Sequence, residues 1–305
     1  LLALAYVASI GGMATLIGSP PNGIYMRFME QTYGQVVSIA SWMKVGVPVT
    51  LLLFIVSFFV LTGLMFRNMG GSVPGGKEWV RNELRSMGKL STGEKAVGLC
   101  FLIAAVLWFS GAQLRGINID GWQPFKYLTD AVIAMGMGIV PFLIPVDRKG
   151  TMAMDWKTAN EAISWDVLLL FGGGLSLASA IQHTGVAQLI GAQVAVLAGS
   201  PFPVVLFGVV FIVTFATGVT SNTALAAMMM PLLAAVANAL GLPPQPILMG
   251  TALAASAAFI LPISTPPNAI VFGTGKIKIA DMFRAGILIN FVAIFVITGV
   301  MLLLD

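Results

Sequence analysis

The chain has 305 residues, of which 58% are hydrophobic and only 9% charged, and a net charge of +4. A soluble domain carries roughly 25% charged residues, so too little polar surface is present to cover a water-soluble globule, and a bilayer must solvate most of the chain. The small charge, with no aromatic-basic interleaving, argues against a nucleic-acid partner, and a single cysteine, Cys100, excludes a disulfide framework.

A spanning helix needs roughly 20 mostly apolar residues. The chain opens on Leu1 inside an apolar run to Ile10, and we read it as a partial chain whose N-terminal part is missing. Residues 1–24 run into Gly18-Ser19-Pro20-Pro21-Asn22. Full spans are then expected at about 44–66, 94–114, 127–146 and 165–182. Residues 203–240 are apolar but carry Thr220-Ser221-Asn222-Thr223 at their middle, with arms of about 16 residues on each side. This predicts a re-entrant hairpin in preference to two tight spans. Residues 246–272 run into Ser264-Thr265-Pro266-Pro267-Asn268, and a last span is expected at 282–304.

A proline pair cannot continue a helix, and the residue before a proline is pushed out of the α region. Both Pro-Pro segments are therefore expected to be broken helices. Non-helical backbone at membrane depth is tolerated only where it is buried in protein or lines a cavity, so the breaks are candidate site elements.

Loop charges set the expected orientation. Arg67, Lys77, Arg81, Arg85, Lys89 and Lys95 lie in one connection, Arg148, Lys149 and Lys157 in a second, and Lys276, Lys278 and Arg284 in a third. These are 12 of the 16 basic residues, and placing them in the cytoplasm satisfies the positive-inside rule at every crossing.

The chain also repeats itself. Ile17-Gly18-Ser19-Pro20-Pro21-Asn22-Gly23-Ile24 matches Ile263-Ser264-Thr265-Pro266-Pro267-Asn268-Ala269-Ile270 at an offset of 246 residues. Each copy follows a run of small residues. Each leads to a full span that opens with Met43-Lys44-Val45-Gly46 or Phe283-Arg284-Ala285-Gly286, at an offset of 240. An odd number of crossings separates the copies, whether or not the hairpin arms span, so the copies should be inverted. Inverted repeats with discontinuous helices are a signature of secondary transporters. The repeat further predicts a second polar-tipped hairpin before residue 1.

The polar groups at depth are hydroxyls, amides and freed backbone, with no acid or base in mid-span. This is a poor set for general acid–base catalysis, and no His/Cys/carboxylate cluster suggests a transition metal. It suits an anion and a hard cation together. Half-helix N-termini offer N–H groups and a positive dipole end to a carboxylate or sulfate, while half-helix C-termini and unwound carbonyls suit Na⁺.

The Ser221-Asn222-Thr223 tip, the Thr265-Pro266-Pro267-Asn268 break and the Phe171-Gly172-Gly173-Gly174 run resemble the divalent anion:sodium symporters, the di- and tricarboxylate and sulfate carriers. The resemblance covers the whole chain. It implies an all-α polytopic membrane protein, an inverted-repeat elevator-type transporter working as a homodimer in a bacterial inner membrane. It also implies domains: 1–24 as a broken helix of the transport domain, 25–164 as spans and loops that are mainly scaffold, 165–280 as transport domain with hairpin and second break, and 281–305 as the last span. By motif position, Ser19, Ser221, Asn222, Thr223, Thr265 and Pro266 would touch the dianionic substrate. Gly18, Thr217, Thr220, Asn222 and Ser264 would serve Na⁺ as the coupling ion, with no other cofactor.

Other features have plainer readings. His183 is expected as an exposed loop residue, and the Met228-Met229-Met230 run and the Gly172-Gly173-Gly174 run as packing elements. The basic 77–95 stretch is expected as a solvated connector. The function expected is therefore Na⁺-coupled symport of C4-dicarboxylates and not enzymatic catalysis. An exchanger, or a sulfate or citrate carrier of the same fold, is the alternative.

Overall fold

The computed structural model describes residues 1–65, 76–120, 122–147, 150–163 and 199–304, with backbone alone at 76, 77, 79 and 112, and scattered positions between 165 and 189. The expected span at 165–182 lies largely outside the described residues; of its Gly172-Gly173-Gly174 run, Gly172 and Gly173 are described and Gly174 lies outside them. Residues cluster into two compact units. One joins Leu1–Val37, Ser41–Asn68 and Trp165–Asp305; the other joins Ser38–Ala40 and Met69–Ser164.

In the first unit lie α1 (Leu2–Gly12), α2 (Pro20–Tyr33) and most of α3 (Ile39–Phe59), which runs on as a π-helical turn over Val60–Met65. The same unit holds α8 (Phe202–Ala216), α9 (Asn222–Ala239), α10 (Pro244–Ser256), α11 (Pro266–Gly273) and α12 (Ile279–Leu304). The second unit carries α4 (Gly76–Ser86), α5 (Thr92–Arg115), α6 (Asp130–Ile139) and α7 (Trp156–Ala162). Among the described residues, Ile39–Met65, Thr92–Gly111, Asn222–Ala239 and Ile279–Leu304 are long and apolar enough to cross a membrane. Three of these cover the spans expected at 44–66, 94–114 and 282–304.

The helix expected over 127–146 is shorter than a span. Thr129 caps its start, its hydroxyl accepting from the Val132 N–H at 3.3 Å, and Pro141 lies in the tight turn Val140–Phe142 that follows α6. Within this second unit α6 packs on α5. The Trp108 indole donates to the Asp130 carbonyl at 3.1 Å, and Arg115 donates to the Leu128 carbonyl at 2.9 Å.

The first unit is organised around α10. Every residue from Pro246 to Ser256 is buried, and α2, α8, α9 and α12 all pack against this helix. Gly250, Ala252, Ala254 and Ala255 explain why. In a bilayer, helices associate by close van der Waals contact, and small residues let backbones approach. The helices on either side of the Ser221-Asn222-Thr223 tip, α8 and α9, therefore share α10 as their common support. An aromatic ladder, spaced every four residues, joins α8 to α12. Phe207 meets Phe295 at 5.5 Å between ring centroids, and Phe215 meets Phe291 at 5.5 Å.

The two broken helices cross reciprocally. The first half of one, α1, packs against α11; the first half of the other, α10, packs against α2. Tyr6 of α1 stands edge-on to Phe259 at 5.4 Å and donates its hydroxyl to the Met282 carbonyl at 3.0 Å, locking one copy of the repeat onto the other.

Candidate functional site

Both breaks form where the sequence places them, and with one geometry. α2 is preceded by Ser19 at φ −146°, ψ 136°, and α11 by Thr265 at φ −144°, ψ 150°. Each following helix then opens on two prolines, whose fixed φ suits the first helical turn and whose missing N–H leaves no orphan donor there.

The asparagine after each proline pair closes the break. Asn22 Nδ2 donates to the carbonyls of Gly12 at 3.1 Å and Thr15 at 2.9 Å. Asn268 Nδ2 donates to Ala258 at 3.1 Å and Leu261 at 3.1 Å. The acceptors stand ten and seven residues back in both copies. A helix that stops leaves its last carbonyls without partners, and one carboxamide supplies two N–H groups to them. Both asparagines are 0% exposed, and the Oδ1 of each has no hydrogen-bond partner among the described residues.

The span after each break completes the repeat. A Cβ on Gly46 would stand 2.7 Å from the Met13 carbonyl oxygen, and one on Gly286 would run into the Phe259 carbonyl oxygen. These glycines are equivalent in the repeat, as are the two carbonyls they admit. Thr50 donates to the Ile10 carbonyl at 3.2 Å; its counterpart Asn290 accepts from the Phe259 N–H at 3.4 Å and donates to the Thr214 carbonyl at 3.3 Å.

Between α8 and α9 lies the polar tip. The Thr217 hydroxyl sits 2.6 Å from Asn222 Oδ1 and 2.7 Å from the Ala255 carbonyl oxygen. One proton serves three oxygens, and Thr217 is 0% exposed. An oxygen cluster with spare lone pairs is the donor set a hard cation takes. Beside it, the Ser264 hydroxyl donates to the Gly218 carbonyl at 2.8 Å, tying the tip to the second break. Ser221 precedes α9, its hydroxyl accepting from the Ala224 N–H at 3.5 Å.

The structure thus brings Thr217, Asn222 and Ser264 together: Thr217 bonds Asn222, and Ser264 bonds the Gly218 carbonyl next to Thr217. Ser19, half-buried between exposed Gly18 and Pro20, joins them indirectly: its hydroxyl is 2.8 Å from that of Ser256, the neighbour of Ala255. Thr265 is buried and its hydroxyl accepts from the Asn268 N–H at 3.4 Å, while Pro266 is exposed at the start of α11. Ser221 is exposed, and Asn222 and Thr223 are half-buried at the opening of α9. Thr220 stands apart: it is exposed, and its hydroxyl turns back to the Ala216 carbonyl at 2.9 Å.

One expectation changes in detail. The half-helix N-termini at the breaks keep their dipole but offer few free N–H groups. Two residues are prolines, and the third donates already, Asn22 to the Ser19 carbonyl at 3.1 Å and Asn268 to Thr265. The start of α9 has no proline, so Asn222 and Thr223 retain their N–H groups at the end where Ser221 sits. Ser256 and Asn290 were missed from the sequence. Asn290 had a signal, as the one amide in an apolar span; Ser256 had none beyond its place at the end of a small-residue run. Among the described residues, no group of three His, Cys, Asp or Glu side chains is placed to hold a metal ion.

Residues 1–304 match the sequence family described as "Sodium:sulfate symporter transmembrane region". The sodium-dependent dicarboxylate transporter SdcS of Staphylococcus saprophyticus is 38% identical over 299 residues, covering 97% of this chain and 56% of that protein. The protein of the same name in Staphylococcus aureus is 38% identical over 298 residues, again 97% of this chain and 56% of the relative. The chain spans a little over half the length of these curated relatives. Its helices, its paired breaks and this match lead to one conclusion: the chain belongs to the sodium:sulfate symporter transmembrane-region family of multi-pass membrane proteins.

Proposed function

We propose that the protein carrying this chain is a secondary active transporter that moves a C4-dicarboxylate across the membrane together with Na⁺. The observation that carries the reading is the oxygen cluster of Thr217, Asn222 and the Ala255 carbonyl, set directly behind the N-terminus of α9. The cluster suits a hard cation, and the helix start suits an anion. Asn222 belongs to both, so the bound cation supplies the countercharge that a site without arginine otherwise lacks. Coupling then follows from electrostatics: each ion raises the affinity of the other by the same factor.

On this reading Ser19, Ser221, Asn222, Thr223, Thr265 and Pro266 face the dianion. Thr217, Asn222 and Ser264 serve one Na⁺, and Gly18 contributes to a second. Thr220, turned back on its own helix, is the weakest member of the sodium set. The reciprocal crossing of α1 on α11 and α10 on α2 supports an inverted repeat, and with it an elevator-type motion of a transport domain in a homodimer. Names point the same way: the relatives are called dicarboxylate transporters. The family description favours a second reading, sulfate as the anion.

The test is uptake of radiolabelled succinate into proteoliposomes of the full-length protein, with and without an inward Na⁺ gradient. Uptake should require Na⁺ and fall to background in Asn222→Ala. Sulfate uptake in place of succinate would move the substrate to the second reading. Uptake that ignores Na⁺ but needs internal dicarboxylate would overturn symport.

A further inference from the structure

Ser19 and Ser256 stand 2.8 Å apart, oxygen to oxygen, and Ser256 also donates to the Ala252 carbonyl at 3.2 Å. A hydroxyl has one proton. With the Ser256 proton on Ala252, the proton between the two serines belongs to Ser19. Ser19 does not cap its own helix, unlike its repeat counterpart Thr265, because its hydroxyl is turned across to α10. In this arrangement Ser19 presents only lone pairs to its open side, which flanks exposed Gly18 and Pro20.

A carboxylate or sulfate accepts hydrogen bonds and donates none, so lone pairs repel it. If Ser19 faces the dianion, it must turn its proton outward when the anion arrives. Ser256 must then supply the proton between the two oxygens and release Ala252. That release leaves no orphan, since a carbonyl four residues back in an α-helix already accepts the backbone N–H.

We propose that Ser256 is a positioning residue, a hydroxyl relay that switches Ser19 from acceptor to donor when the dianion binds. The proposal rests on the reading of the site given above. Its structural support is separate: Ser256 is 3% exposed and its hydroxyl is 2.8 Å from that of Ser19. The chain of two aligned hydroxyls strengthens the outward donor, as hydrogen bonds in series polarise one another. Ala255, one residue earlier, holds Thr217, so the end of α10 touches both the anion side and the cation side.

The test is a double-mutant cycle in proteoliposomes of the full-length protein, with wild type, Ser19→Ala, Ser256→Ala, the double variant and Ser256→Thr. Ser256→Ala should raise KM for succinate about two- to tenfold, the worth of one neutral hydrogen bond, with kcat and the Na⁺ requirement kept. Ser256→Thr should restore KM, and the double variant should match Ser19→Ala alone. If Ser256→Ala fails to fold, Ser256→Cys, a weaker donor, should give an intermediate KM. Effects that multiply in the double variant, or a loss of kcat at unchanged KM, would overturn the relay while leaving Na⁺-coupled transport standing. A folded wild type that moves none of succinate, citrate or sulfate would overturn both.

Discussion

Asn22 and Asn268 show how a single side chain permits a helix to break at depth. A terminated helix exposes carbonyls that neither lipid nor an apolar neighbour can satisfy, and each unsatisfied group is costly there. The carboxamide bonds two of them at once and is itself held at the first turn of the next half-helix. Replacing either asparagine by leucine keeps the branched shape, at a larger volume, and removes both bonds. We expect each of Asn22→Leu and Asn268→Leu to lower stability by about 1–3 kcal/mol, taking the interhelical hydrogen bond in membranes as roughly 0.6 and at most about 1.7 kcal/mol. An unfolding titration of the reconstituted protein measures this. Wild-type stability in either variant would remove the asparagine from the account of its break.

At the scale of elements, the glycines of α3 and α12 decide how closely a span approaches the broken helix before it. The Gly46 position lies 2.7 Å from both the Met13 oxygen and the Trp42 indole nitrogen, measured from a would-be Cβ, and the Gly286 position meets the Phe259 backbone, with Ile260 Cα at 2.6 Å. Apart from the Trp42 indole, these neighbours are backbone atoms that cannot swing aside. Gly286→Ala and Gly46→Ala should therefore each cost about 1–3 kcal/mol by overpacking, and should also disturb the site, because the displaced carbonyls belong to the break. Gly63, in the π-helical turn after α3, has nothing within 4 Å of its Cβ position, so Gly63→Ala is the control and should be tolerated. Thermal denaturation in detergent compares the three. Equal behaviour of Gly286→Ala and Gly63→Ala would mean that the tight approach has no energetic weight.

At the scale of the whole molecule, the crossings decide whether the two copies are inverted. The basic connections at 67–95, 147–164 and 273–284 are expected on the cytoplasmic side, and the 115–126 connection outside. Cys100 is buried and is the only cysteine of this chain, so one substitution clears these 305 residues for a labelling test. In a Cys100→Ser background, Ser86→Cys and Asn118→Cys should be modified by a membrane-impermeant maleimide from opposite faces of oriented vesicles. Both are exposed, so labelling of the two from one face would overturn the positive-inside orientation and the crossing count behind the inversion.

The sequence alone determined the membrane solvent, the spans at 44–66, 94–114 and 282–304, and both helix breaks. Each of these follows from local rules. An apolar run of sufficient length partitions into lipid, and a proline pair ends a helix whatever surrounds it. By resemblance to a family it also grouped Thr217, Thr220, Asn222 and Ser264; in the structure Thr217 bonds Asn222, Ser264 bonds the neighbouring Gly218 carbonyl, and Thr220 turns back to Ala216. What only the tertiary structure decided is direction: which oxygen a hydroxyl faces, and which atom a small residue lets in. Ser256 under Ser19, and Asn290 reaching from α12 to both α8 and the second break, are matters of long-range contact. No pattern along the chain encodes them, because hydrogen-bond partners tens to hundreds of residues apart are chosen by how helices pack, and packing depends on every small residue of α10 at once.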